Sequence, residues 1–308
     1  MKKGIIILLC CFFFTGCYDY KELNNNYVVL GIGINKIEKG YQVLYEMVDS
    51  KEKESDKPVI SSETGETLES AFQRLNQSLR KEPTLSHVKV VFFGEELATW
   101  KMKETIVYLF QNHRIHNTFY PTLIQGSFDE FFEQNSTYCS TSIQEQLDFN
   151  EQSSSLATKQ TFTSFFNTIL DTGIDAVINV AQKKQGTCSL TGLAAFSSDQ
   201  LSFYFSEQES NLYQSFQSLS NSFLKSVLNQ KPILSYHDST IDIALELKDD
   251  KDSESLTKAY QLFLEKLQEQ DSDVLGIRKK IYDQTRIDMG PFQEKSVHVS
   301  LDLERSSS

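Results

Sequence analysis

Apolar and polar positions along this chain alternate in blocks that switch between the strand period and the helix period. Tyr27 to Ile34 (YVVLGIGI) is an apolar run with β-branched residues and two glycines, which predicts a buried strand. A turn at Glu38-Lys39-Gly40 leads into a second strand over Tyr41 to Val48, so the two form a hairpin. Lys51 to Lys57 is charged and reads as a solvated loop. From Glu66 to Arg80 the period lengthens. Leu68, Ala71, Phe72, Leu75 and Leu79 fall on one face of a helix, which Pro83 brings to an end. His87 to Phe93 predicts a strand broken by Gly94, Glu95 to about His113 a second helix, and Phe119 to Gln125 another strand.

Glu133 to Lys159 is rich in Gln, Asn, Ser and Thr and poor in large aliphatics, a linker composition with room for one short helix. Thr161 to Leu170 reads as helical. Leu190 to Phe196 and Leu201 to Phe205 read as two strands around Ser198-Asp199-Gln200. Beyond about Ser220, Ile241, Ile243, Leu245 and Leu247 alternate with polar residues, as do Val297, Val299, Leu301 and Leu303. Lys248 to Glu254 reads as a charged turn, and Leu256, Tyr260, Phe263 and Leu267 mark a helix face. Ser272 is the expected N-cap of a further helix from Asp273 to about Gln284. The fold class expected is α+β: three small mixed domains with largely antiparallel sheets. Their expected spans are 17–134, 135–218 (linker and middle domain) and 219–308, after a segment at 1–16 that is removed.

That segment has its own pattern. Lys2 and Lys3 precede an apolar run from Gly4 to Phe14, and Phe14-Thr15-Gly16-Cys17 is a small-residue cleavage site ending in cysteine. The run is well short of the roughly 20 residues a spanning helix needs. The segment is therefore read as a secretory signal of the lipoprotein kind, with Cys17 as the lipidated first residue of the mature chain. Hydrophobic content of 39% and charged content of 23% indicate a folded chain. The net charge of −12, or −14 once Lys2 and Lys3 are removed, excludes a nucleic-acid footprint and opposes adsorption to an anionic membrane. Membrane attachment then rests on lipid at Cys17. Once Cys10, Cys11 and Cys17 are set aside, only Cys139 and Cys188 could pair. Their spacing excludes a CxxC motif, and the plainer reading leaves both as free, semi-buried thiols.

The search for chemistry is nearly empty. There is no GxSxG, HExxH or P-loop. Gly31-Ile32-Gly33 lacks the third glycine of a dinucleotide fingerprint, because Lys36 stands there, and a turn and strand follow instead of a helix. Gly31 and Gly33 are therefore read as glycines in a crowded strand. His113 and His116, three apart, are read as solvated residues at a helix end and not as a metal pair. Ser86-His87 has no visible acid partner for a hydrolase. No cofactor and no metal are expected. An exposed aromatic patch would mark a partner interface, but periodicity does not locate one.

The order of these segments resembles the Ger(x)C family, the lipoprotein C subunit of nutrient germinant receptors in endospore-forming bacteria. Cys17-Tyr18-Asp19 with Glu22-Leu23-Asn24 is similar to the family's Cys-Trp-Asp and Glu-Leu-Asn, with Tyr18 in place of Trp. Val29 to Ile34 resembles its first strand, followed here by Asn35 where the family has Asp. Gly65-Glu66-Thr67, Ser86-His87-Val88-Lys89-Val90 and Gly94-Glu95-Glu96-Leu97-Ala98 resemble three further signatures. So do Gly192 to Phe196 with Glu207 to Leu212, and Asp273-Val274-Leu275-Gly276. The resemblance implies a non-enzymatic, lipid-anchored protein on the outer face of the spore inner membrane, acting with two integral-membrane receptor subunits. It gives Cys17 a defined role: the sulfur takes a diacylglyceryl group and the freed amine is open to acylation, by palmitate for example. Gly31, Gly33, Gly65, Glu66, Ser86, His87, Gly94 and Glu95 carry over as structural or interface positions. The alternative in view is a solute-binding lipoprotein of a transporter, which predicts two doubly wound lobes around a cleft.

Overall fold

The computed structural model describes residues 26–49, 57–133, 137–153, 157–171, 173–217, 227–237, 240–248, 253–286, 288, 290 and 292–303. The segment at 1–16, Cys17 and nearly all of the loop expected at 51–57 lie outside them, as does most of the charged turn expected at 248–254.

Strands β1 (Tyr27–Ile37) and β2 (Gly40–Asp49) form the expected antiparallel hairpin, with Ile37 opposite Gly40. Gly40 has φ +121°, a conformation open to glycine, and a Cβ there would lie 2.0 Å from the Gly65 carbonyl oxygen. β3 (Val59–Gly65) adds antiparallel to β2. Helix α1 (Leu68–Ser78) starts at Thr67, whose side chain accepts from the Ser70 N–H while the Ser70 hydroxyl accepts from the Thr67 N–H, a capping box. It buries Leu68, Ala71, Phe72 and Leu75, the face expected from spacing.

After α1 the chain returns to the middle of the sheet. β4 (Pro83–Thr84) and β5 (Val90–Phe93) both lie parallel to β1. The strand expected from His87 begins only at Val90, because Ser86 and His87 occupy a turn. Helices α2 (Glu95–Trp100) and α3 (Lys103–Gln111) lead to β6 (Tyr120–Ile124), parallel to β5. The single helix expected over 95–113 is broken at Lys101, which is extended (φ −164°, ψ 125°). The Met102 and Lys103 N–H groups that open α3 donate to the Asp199 carbonyl and carboxylate, a cap supplied from a distant turn.

Helices α4 (Phe128–Phe132), α5 (Cys139–Ser153) and α6 (Phe162–Leu170) precede β7 (Val177–Lys184), which pairs parallel with β6. β8 (Thr187–Ser197) and β9 (Gln200–Tyr204) complete the sheet antiparallel, and α7 (Glu207–Gln217) follows. The order is β3-β2-β1-β5-β6-β7-β8-β9, with β4 also on β1. Four of the eight pairings are parallel, so the expectation of largely antiparallel sheets is corrected to a mixed sheet. Its centre is reached by helical crossovers, which deliver parallel strands. The same sheet runs across the division expected at 134/135 through the β6–β7 pairing. This is one wide sheet and not a pair of doubly wound lobes.

Helices cover both faces of this sheet, which is why β1 reads as a continuous apolar run. On one face, α1, α2, α3 and α6 pack over Ile32, Ile34, Val91 and Phe93. On the other, α4 and α5 pack over Leu44, Val90 and Phe92. A second sheet follows: β10 (Ile233–His237) antiparallel to β11 (Thr240–Leu247), and β12 (Ser296–Leu303) parallel to β11. The parallel pairing again departs from expectation. Helices α8 (Ser253–Glu269) and α9 (Ile277–Thr285) supply the crossover between β11 and β12. Ile241, Ile243, Tyr260 and Phe263 of this unit share a core with Val177, Leu193 and Ala195 of the large sheet and with α7. The cap expected from Ser272 is made instead by Asp273, whose carboxylate accepts from the Ile277 and Arg278 N–H groups.

Candidate functional site

Two of the signature segments lie near the carboxyl end of β1. Gly65 ends β3 against the first turn of α1, where a Cβ would lie 2.4 Å from the Ala71 nitrogen, and Glu66 beside it is exposed. Gly94 opens α2, where a Cβ would lie 2.1 Å from Asn35 Oδ1. That Asn35 oxygen accepts from the Leu97 N–H at 3.3 Å, and its Nδ2 donates to Glu96 Oε2 at 2.9 Å. Glu95 accepts from the Gly126 N–H at 3.2 Å, tying α2 to the end of β6. Asn35 thus links β1 to the first turn of α2.

Between the start of α1 and the α2–α3 junction lies an open groove of about 570 Å³. Lys36 and Tyr41 from the β1–β2 hairpin form one end, and Glu66 and Glu69 of the α1 entrance one wall. Trp100, Lys101, Glu104 and Tyr108 form the other. Trp100, the only tryptophan in the chain, is 57% exposed. The Lys36 ammonium sits 4.4 Å from the Tyr41 ring centre and 5.9 Å from that of Trp100, within reach of both π faces. Burial pushes the Tyr41 and Tyr108 phenols upward, and the charges of Glu104 and Glu69, respectively, add to the shift. Glu66, Glu69 and Glu104 have no ion-pair partner among the described residues. Thr105 also lines the groove, and its Oγ1 is buried without a hydrogen-bond partner.

The remaining expected positions lie elsewhere. Gly31 and Gly33 sit mid-strand, and a Cβ would lie 3.0 Å from Glu46 Oε2 at Gly31 and 2.7 Å from Phe128 Cζ at Gly33. Both are the close-approach glycines expected. Ser86 and His87 occupy a turn toward the opposite end of β1, with His87 exposed. His113 and His116 are exposed beyond α3, and no group of three or more His, Cys, Asp or Glu suited to a metal occurs among the described residues. No described helix is long and apolar enough to cross a membrane.

Two features escape the sequence reading. Cys139 and Cys188 form a disulfide, with Cα atoms 5.3 Å apart, which corrects the expectation of free thiols. Helix α5 and strand β8 place them together, a proximity that spacing alone does not reveal. Beside the bond, the fully buried Glu46 carboxylate of β2 accepts from the N–H groups of Cys139 (2.6 Å) and Ser140 (2.8 Å) and from the Ser140 hydroxyl. It therefore caps α5 from across the sheet. Burial pushes this carboxyl above the usual carboxylate range, and the Ser140 and Cys139 donors and the Lys89 charge pull it back only in part. The available signal was one acid flanked by apolar residues in a predicted strand, Leu44-Tyr45-Glu46-Met47-Val48.

The groove sets an exposed tryptophan beside charged side chains of both signs. A family model described as the spore germination protein N-terminal domain matches residues 19–183, more than half of the chain. A search of curated proteins finds no match. A crystal structure of the GerBC protein is similar with a TM-score of 0.44 and 12% identity, covering 89% of this chain and 97% of that one.

Proposed function

The chain belongs to the Ger(x)C family of spore germination proteins, and from that premise we propose that it is the lipid-anchored C subunit of a nutrient germinant receptor. In this reading it stands on the outer face of the spore inner membrane through Cys17 and acts by contact with two integral-membrane partner subunits, without catalysis. The observation that carries the reading is the family match itself, which starts at Asp19, two residues after the acceptor cysteine. Anchoring confines the chain near its partners and raises their effective concentration, so modest contacts suffice. The groove beside Glu66 is the surface best suited to such a contact, because it presents an exposed tryptophan and unpaired charge rather than a reactive group.

Deletion of the gene in its host, scored across a panel of nutrients, tests the role. Loss of response to one nutrient class with sporulation intact is expected, and normal germination on every nutrient would count against it. Cys17→Ala tests the anchor: the protein is expected to leave the membrane fraction and germination to weaken. Unchanged fractionation would sink the lipid assignment.

A further inference from the structure

We propose that the groove between α1 and α3 binds an arginine or lysine side chain presented by an exposed basic segment of a partner protein. The inference rests on the receptor-subunit reading and names the chemistry of one of its contacts. The structure already displays the recognition in miniature, since the Lys36 ammonium is drawn over the Tyr41 ring and toward Trp100 while donating to the Gly40 carbonyl at 3.0 Å. One cation does not use up the site. Glu66, Glu69 and Glu104 line it with only Lys36 and Lys101 to offset them, which leaves the groove acidic by one charge in a chain of net charge −12. The exposed part of Trp100 offers a face on which a guanidinium can stack.

Thr105 also lines the groove, and its Oγ1 is buried without a hydrogen-bond partner, which costs free energy. An acidic guest is disfavoured by the three carboxylates. A free small amine is a poorer fit than a protein-borne side chain, because small-molecule sites enclose most of their ligand and this groove is open.

The single tryptophan makes the test direct, since its fluorescence reports on this groove alone. The full chain is titrated with a short blocked peptide carrying arginine, with a glutamate analogue as control and free arginine as a third arm. A saturable change with the arginine peptide is expected, weakened by salt and weakened at least tenfold in Glu66→Gln/Glu104→Gln with its thermal melt unchanged. No saturable change, an equal response to the glutamate peptide, or unaltered binding by the double variant would overturn the proposal. Free arginine binding as tightly as the peptide would overturn the partner segment in favour of a small ligand. Failure here with loss of germination on deletion removes only this contact, whereas normal germination on deletion removes the receptor reading whatever the peptide does.

Discussion

On opposite faces of the large sheet, α1 and α5 are held by different physics. On one, α1, α3 and α6 pack through side chains such as Phe72, Leu75, Ile106 and Phe165, an apolar layer that needs little else. On the other, α5 is largely polar. It buries Cys139, Ser140, Ile143 and Leu147 but leaves Phe149 70% exposed. What it lacks in apolar area it recovers in tethers. The disulfide fixes its first turn to β8, Glu46 receives its leading N–H groups, and Gln146 bonds β8 twice, donating to the Cys188 carbonyl at 3.0 Å and accepting from the Leu190 N–H at 2.9 Å. A helix with too narrow an apolar stripe can still be held in place where covalent and charge-assisted links replace the missing area.

The largest effect should come from removing the covalent link. The Cys139→Ser/Cys188→Ser variant opens a loop of 49 residues' separation, for which chain entropy suggests a loss of about 4 kcal/mol. Chemical denaturation measures the loss, and hydrogen exchange should show α5 amides losing protection while those of α1 keep theirs. Equal loss on both helices would break the contrast. Next, Leu75→Ala on the apolar face should cost about 3 kcal/mol through the cavity it leaves, and by the same amount with or without a reductant. Dependence on reductant would mean that the two faces are coupled.

The smallest effect is a slope rather than an offset. Because the Glu46 carboxyl is raised in the folded state, that state holds the proton more tightly than the unfolded chain does. Its contribution to stability is therefore greatest below the ordinary carboxylate range and falls as pH climbs from there to the raised value. Glu46→Gln should flatten that part of the stability profile, as read by denaturation at a series of pH values. A wild-type advantage that grows across the same window would reverse the sign and sink the account.

How much of this was legible follows the same division. The helical face of Leu68, Ala71, Phe72 and Leu75 and the alternation from Ile241 to Leu247 were readable because apolar period records burial directly. Gly31 and Gly33 were readable as close approaches, though not which side chains approach them. Helix α5 was read as linker with room for only a short helix, because its stability comes from partners more than 40 residues away in sequence, which no local pattern encodes. β7 passed unread between two better-marked segments, and the parallel pairing of β6 with β7 depends on three intervening helices. In the groove, Glu66 was singled out from its signature, while Trp100, Tyr41 and Glu104 come together only through the fold.

The turn at Ser198-Asp199 has a mechanical meaning. It holds the Met102 and Lys103 N–H groups, and Gln200 Nε2 beside it donates to the Trp100 carbonyl at 2.5 Å. The wall that carries Trp100 is thus braced from behind by the tip of the β8–β9 hairpin, whose strands rest on the core shared with the three-stranded unit. Groove wall and hairpin tip are joined by residues about a hundred positions apart in the sequence, and the same hairpin is packed into the core of the distal unit.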